Sequence, residues 1–143
     1  MRTFIIGTLL SGLVLVSGCS SVFEQQIEWG YIEPEDYPVL RATGYAPINA
    51  QLSDNATGKL LQAIKASKYE AYRELAEQVF GQKIDGKMSV QQMVLQNTEL
   101  NTSIQGVIRG ARVVKTYPVG DDLYATELEL DMKAVHAIYL SVA

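Results

Sequence analysis

The sequence predicts an α+β domain, in which one long helix and a shorter one pack on a mainly antiparallel sheet that ends in a long β-hairpin. Three observations predict it. Between residues 55 and 80, Leu60, Ile64, Ser67, Ala71, Leu75 and Val79 recur at three- and four-residue steps, the period of a helix with one buried face. Over residues 123–132, Tyr124, Thr126, Leu128, Leu130 and Met132 fall on one side of an extended chain, and Glu127, Glu129 and Asp131 on the other. Pro118-Val119-Gly120-Asp121-Asp122 separates this run from a second apolar stretch, at the length of a hairpin loop.

Taken in chain order, residues 40–48 (LRATGYAPI) form a first strand bounded by Pro38 and Pro47, with Pro47 at its end or on an edge because it has no N–H to donate. The long helix over 55–80 is capped by Ser53 or Asp54 and stops at Gly81. Ala63, Tyr72 and Ala76 flank its apolar stripe, and the small Ser67 and Ala71 let it sit close to a sheet. Glu70, Arg73 and Glu77 stand at supportive spacings on its outer face. Lys83 to Met88 is a short strand with Gly86 beside a turn. Residues 89–100 (SVQQMVLQNTEL) form a second helix, with Ser89 as N-cap and Val90, Met93, Val94 and Asn97 along one side; a strand is the alternative. Residues 106–117 (GVIRGARVVKTY) form the first arm of the hairpin, with Gly106 and Gly110 marking a bulge or a close approach of backbone. Residues 133–140 close the chain as a helix or as a continuation of the last strand.

Composition limits the chemistry. The 143 residues include 12 basic and 16 acidic side chains, one His and one Cys, and 48% are apolar. That suits one domain with one core. A net charge of −4 argues against nucleic-acid binding, which needs a basic surface to neutralise phosphates. One Cys excludes a disulfide framework, and one His excludes His-pair zinc sites. His136 has no Ser or Cys partner at a recognisable spacing and reads as structural. Glu127, Glu129 and Asp131 read as a solvated strand face, since no calcium-loop pattern accompanies them. Arg109 and Arg112 fall on opposite faces of the preceding strand, which lets one of them pair with these acids. There is no phosphate loop and no nucleophile elbow. The expectation is no catalytic residue, no cofactor and no metal.

The amino terminus points to a membrane. Residues 1–18 read as a signal peptide: Arg2, then an apolar run from Phe4 to Val16, about thirteen residues against the roughly twenty a spanning helix needs. Val16-Ser17-Gly18-Cys19 then resembles a bacterial lipobox, which implies cleavage before Cys19 and lipidation of that residue. Each buried CH₂ contributes about 0.8 kcal/mol, so several acyl chains anchor durably where one binds marginally. Ser20 stands where an Asp would favour inner-membrane retention, so the expected place is the outer membrane, on its periplasmic face. The mature chain keeps 11 basic and 16 acidic residues. Residues 19–40 form a lipidated, extended arm that holds five acids, no base, and the aromatics Phe23, Trp29, Tyr31 and Tyr37. These aromatics dock either on their own domain, residues 41–143, or on a neighbouring subunit.

Three stretches carry a resemblance: Ala71-Tyr72-Arg73-Glu74-Leu75-Ala76-Glu77-Gln78-Val79-Phe80-Gly81, the run VQQMVLQNT from Val90 to Thr98, and Gly106-Val107-Ile108-Arg109-Gly110-Ala111-Arg112-Val113-Val114. With the lipobox, they make the chain similar to the FlgP-type flagellar outer-membrane lipoproteins, which belong with a broader family of small lipoproteins first known as a Helicobacter surface antigen. The likeness spans roughly residues 40–132. It implies a structural part of the flagellar basal body that forms a homo-oligomeric ring or disc under the outer membrane, beside other flagellar ring proteins, and is needed for motility. A non-flagellar envelope lipoprotein that serves as a binding module is the alternative. The family brings no catalytic residues. Trp29, Tyr31 and Tyr37 in the arm, and Pro118 and Gly120 at the hairpin tip, are the expected subunit contacts.

Overall fold

A computed structural model describes residues 34–84 and 86–142. The expected signal peptide, Cys19, Trp29 and Tyr31 lie outside the described residues. The elements are β1 (Val39–Pro47), α1 (Ala56–Gly81), α2 (Val90–Val94), α3 (Thr98–Arg109), β2 (Arg112–Val119), β3 (Leu123–Asp131) and α4 (Met132–Val142). The three strands are ordered β1-β3-β2 and both pairings are antiparallel, so the chain is an α+β domain as its patterning predicts.

β3 is the central strand, and its alternation decides the layers. Thr126, Leu128 and Leu130 are buried on the side that faces the helices. Opposite them on β1 stand Gly44, Ala42 and Leu40. α1 lies across this face and buries Ala63, Ser67, Ala71, Leu75 and Val79. Gly44 makes the close approach possible: a Cβ there would stand 2.1 Å from the Ala71 nitrogen and 2.2 Å from the Ser67 carbonyl oxygen. Leu60, expected in the stripe, is 37% exposed, and Ala63 holds the first buried position of the helix.

The contact holds one buried polar pair. Ser67 donates to the Ile64 carbonyl at 2.9 Å, and its oxygen lies 2.8 Å from the Thr126 hydroxyl. With the serine proton directed to Ile64, Thr126 is the donor in the second bond. Ser67→Ala then strands the Thr126 hydroxyl, and should cost about 1–3 kcal/mol in chemical denaturation. Adding Thr126→Val should recover most of that loss.

Several boundaries differ from the sequence reading. The cap of α1 is Asn55 rather than Ser53 or Asp54: its Oδ1 accepts from the Gly58 N–H at 2.7 Å. Gly81 is the last helical residue and Gln82 turns extended. Lys83 to Met88 is not a strand; a single bridge joins Lys83 to Ser89, and Gly86 adopts a φ of 74° in the loop between. The helix expected over 89–100 breaks in two. Ser89 caps α2 as expected, with a reciprocal capping box to Gln92. Asn97, expected inside the helix, instead caps α3 by accepting from Leu100 N–H at 3.0 Å.

α3 also takes over the start of the expected strand at 106–117. Leu100, Ile104 and Ile108 form one buried row at four-residue spacing, so residues 106–109 continue that helix. Arg109 therefore sits in the last helical turn, and Gly110 caps the end. The bulge expected near Gly106 or Gly110 falls instead at Val114, between Val113 and Lys115. β2 and β3 pair as far as Val119 and Leu123, which trims the expected five-residue loop to Gly120-Asp121-Asp122, with Gly120 at a φ of 61°. The closing segment is helical, and α4 buries Met132, Val135 and His136.

β2 stands apart from the core. Tyr117 and Val119 are half-buried, and the other six residues of the strand are exposed. Its Pro118 is exposed on the strand at the open edge of the sheet, where a missing N–H costs nothing.

Candidate functional site

The face of the sheet turned away from α1 is lined by a ladder of charges, built row by row by strand register. In the first row Arg41, Glu129 and Arg112 stand side by side across β1, β3 and β2. Arg41 Nε donates to Glu129 Oε2 at 2.9 Å, and Arg112 Nη2 donates to Glu129 Oε1 at 2.6 Å. In the second row Thr43, Glu127 and Lys115 align, and Lys115 Nζ lies 3.2 Å from Glu127 Oε1. Tyr117 donates to the same oxygen at 2.7 Å. In the third row Tyr45 and Tyr117 flank Ala125, which is fully buried between them although it belongs to the open face. Pro47, Leu123 and Val119 make the last row, beside the hairpin tip.

The acids lie low and the bases lie high. The Glu129 side chain is 18% exposed, while Arg41 and Arg112 are 76% and 65% exposed. Arg112, then Arg41, hold the Glu129 carboxyl below its ordinary value of 4.5. The Tyr117 hydroxyl, helped by Lys115, does the same for Glu127, and that carboxylate pushes the Tyr117 phenol up. The pairing expected between these acids and one of Arg109 or Arg112 is present through Arg112. Asp131 stands apart at the end of the row and accepts from the Lys133 N–H at 2.8 Å.

These shifts set a pH dependence. Both glutamates titrate lower in the folded chain than in the unfolded one, so the unfolded chain binds more protons as the pH falls. Their stabilisation is whole above 4.5 and is lost as the pH falls through the lowered folded values. Glu129→Gln should therefore lower the thermal midpoint most at pH 7, with the gap to wild type closing at acid pH in a denaturation series.

Between the ladder's first two rows lies a cleft of about 430 Å³, lined by Arg41, Thr43, Arg112, Val114, Glu127 and Glu129 among others. A larger cleft of about 540 Å³ lies where the end of α1 meets α2 and α3, against Phe80, Val94 and Leu95. Among the described residues no three His, Cys, Asp or Glu side chains are grouped to hold a metal ion. No helix among them is long and apolar enough to cross a membrane.

The remaining sequence-named residues are dispersed. His136 is 5% exposed and meets the Tyr37 ring edge-on at 4.8 Å between centroids. Tyr37 is thus half-buried against its own α4. Pro118 and Gly120 are exposed at the hairpin end, three and five residues beyond Lys115. Arg41 and Lys115 escaped the sequence reading. Arg41 meets Glu129 only through the β1–β3 register, which pairs segments 88 residues apart. Lys115 carried a usable signal, because a hairpin about Pro118 to Asp122 brings it near Glu127. The chain matches no protein-family model and no curated protein.

Proposed function

We propose that the chain is a structural lipoprotein of the flagellar motor, anchored through Cys19 to the periplasmic face of the outer membrane and assembled into a ring or disc that motility requires. One observation carries this reading: Val16-Ser17-Gly18-Cys19 resembles a lipobox, and it leads into a domain whose three stretches resemble those of the flagellar lipoproteins. The role is that of an assembly part rather than a catalyst. Acyl chains on Cys19 confine each copy to one leaflet, so lateral contacts between copies are favoured by raised local concentration. Head-to-tail contacts close into rings when the rotation between copies allows it.

The arm residues Trp29 and Tyr31, and the hairpin from Pro118 to Asp122, contact neighbouring copies in this reading. The double variant Trp29→Ala/Tyr31→Ala should weaken assembly in sedimentation while its helix content and thermal midpoint stay at wild-type values. Rings that form normally would reduce the arm to a tether.

The deciding experiment is electron cryotomography of flagellar motors in cells with and without the gene, beside a swimming assay. Loss of an outer-membrane-proximal ring together with swimming is the expected result. Intact motors and normal swimming would overturn the motor role and leave a general envelope lipoprotein.

A further inference from the structure

The charged cleft on the open sheet face has more donors than its own acids use. Arg41 engages Glu129 through Nε alone, and Arg112 through one terminal nitrogen alone. A guanidinium carries five N–H donors in a planar fork suited to carboxylates. Three cations, Arg41, Arg112 and Lys115, surround two carboxylates, Glu127 and Glu129. Asp131, two residues beyond Glu129 on the same face, brings acids and bases level and is taken up by the Lys133 N–H, so what the cleft offers a visiting carboxylate is unused guanidinium donors rather than net charge. The side chains are already held in place by the ladder, so a visiting carboxylate would meet ordered donors.

The opposite end of the same sheet carries an acid of matching form. Asp121 is exposed at the apex of the β2–β3 hairpin. The loop around it is fixed: Ile48 N–H donates to the Asp122 carbonyl at 2.7 Å, and Asn49 N–H donates to the Asp122 carboxylate at 2.8 Å. Asp122 is therefore occupied within its own chain, and Asp121 projects without a partner among the described residues. Leu123 beside the tip and Glu129 in the cleft are six residues apart on one strand, roughly 20 Å. A tip at one end of a rigid sheet cannot reach the cleft at the other end of that sheet, so the two complementary ends can meet only between copies.

We propose that the hairpin tip of one copy docks Asp121 into the Arg41–Arg112 cleft of a second copy, giving a head-to-tail contact along the open sheet face. The proposal rests on the homo-oligomeric reading above and names the surface that would build it. The contact is heterologous, so its repetition produces a ring or an open filament according to the rotation it imposes. Val114, 40% exposed on the bulge and lining the cleft, would lie under the incoming loop.

The test uses the full-length lipidated protein in detergent micelles, with a benzophenone amino acid in place of Val114 and an equal mixture of nitrogen-14 and nitrogen-15 copies. Sedimentation reports assembly, and mass spectrometry identifies the cross-linked peptides. Wild type should assemble, and illumination should join the cleft peptide of one isotope to the peptide containing Asp121 of the other. Asp121→Lys, a change in an exposed loop that leaves the domain folded, should raise the half-assembly concentration about tenfold or more. Arg41→Gln should raise it similarly. Assembly that ignores both substitutions, or cross-links that reach only other segments, would overturn this contact while the ring reading stands. A wild-type protein that stays monomeric at every concentration would overturn both.

Discussion

Gly44→Ala should destabilise the domain by about 3 kcal/mol or more, the upper end of what overpacking by a single methyl group costs. The cause is space rather than backbone conformation, since Gly44 is not among the positive-φ glycines. The added carbon would stand 2.1 Å from the Ala71 nitrogen, 2.2 Å from the Ser67 oxygen and 2.8 Å from the Ala71 Cα. All three are helix backbone atoms, so no rotamer change can relieve the clash. α1 would have to lift from the sheet by an ångström or more, to restore a contact of roughly 3.5 Å. Lifting it strains the 2.8 Å Ser67–Thr126 bond and the 3.1 Å bond from Gln78 to the Arg41 carbonyl at the same time. Urea denaturation of Gly44→Ala measures the loss directly. A change below about 1 kcal/mol would show that α1 does not sit on β1 as closely as described.

The same contact shows what the sequence makes legible. Ser67 and Ala71 stand out as small residues within an apolar stripe, and they point to a helix packed closely on a sheet. Their counterpart Gly44 is recognisable only once β1 is paired with β3, because nothing local in LRATGYAPI says which of its residues lies under the helix. β3 is legible for the opposite reason: its acids and apolar residues alternate without a break from Thr126 to Met132, so its faces need no partner to be assigned. The run from Gly106 to Val114 misleads because Val107, Ile108, Val113 and Val114 are all β-branched and favour a strand locally. Burial of Ile108 in line with Ile104 and Leu100 overrides that preference for the first half and leaves the second half extended. Asn97 is ambiguous in a similar way: it fits a helical face by spacing, and its short amide fits a cap better. The candidate surface was half legible. The exposed hairpin tip follows from the turn residues Gly120, Asp121 and Asp122, while the cleft requires Arg41 to arrive from a distant strand.

Leu75→Ala should cost about 2–5 kcal/mol, the transfer term for the lost atoms plus the cavity they leave. Leu75 is among the largest fully buried side chains, and it belongs to the same cluster as Ala42, Val79, Leu128 and Met132. It stands one turn beyond Ala71, so the helix is already pinned against Gly44 and cannot settle into the space. Val114→Ala removes a comparable kind of atom from the other side of the sheet, where the side chain is 40% exposed and no helix covers it. That change should stay within about 0.5 kcal/mol in the isolated domain. The contrast separates two uses of apolar surface in one sheet. If denaturation shows a large loss for Leu75→Ala and almost none for Val114→Ala, the open face contributes little to folding. That outcome leaves Val114 free to serve the contact between copies proposed above. A large loss for Val114→Ala in the monomer would instead assign the open face to the core and remove the reason to seek a partner for it.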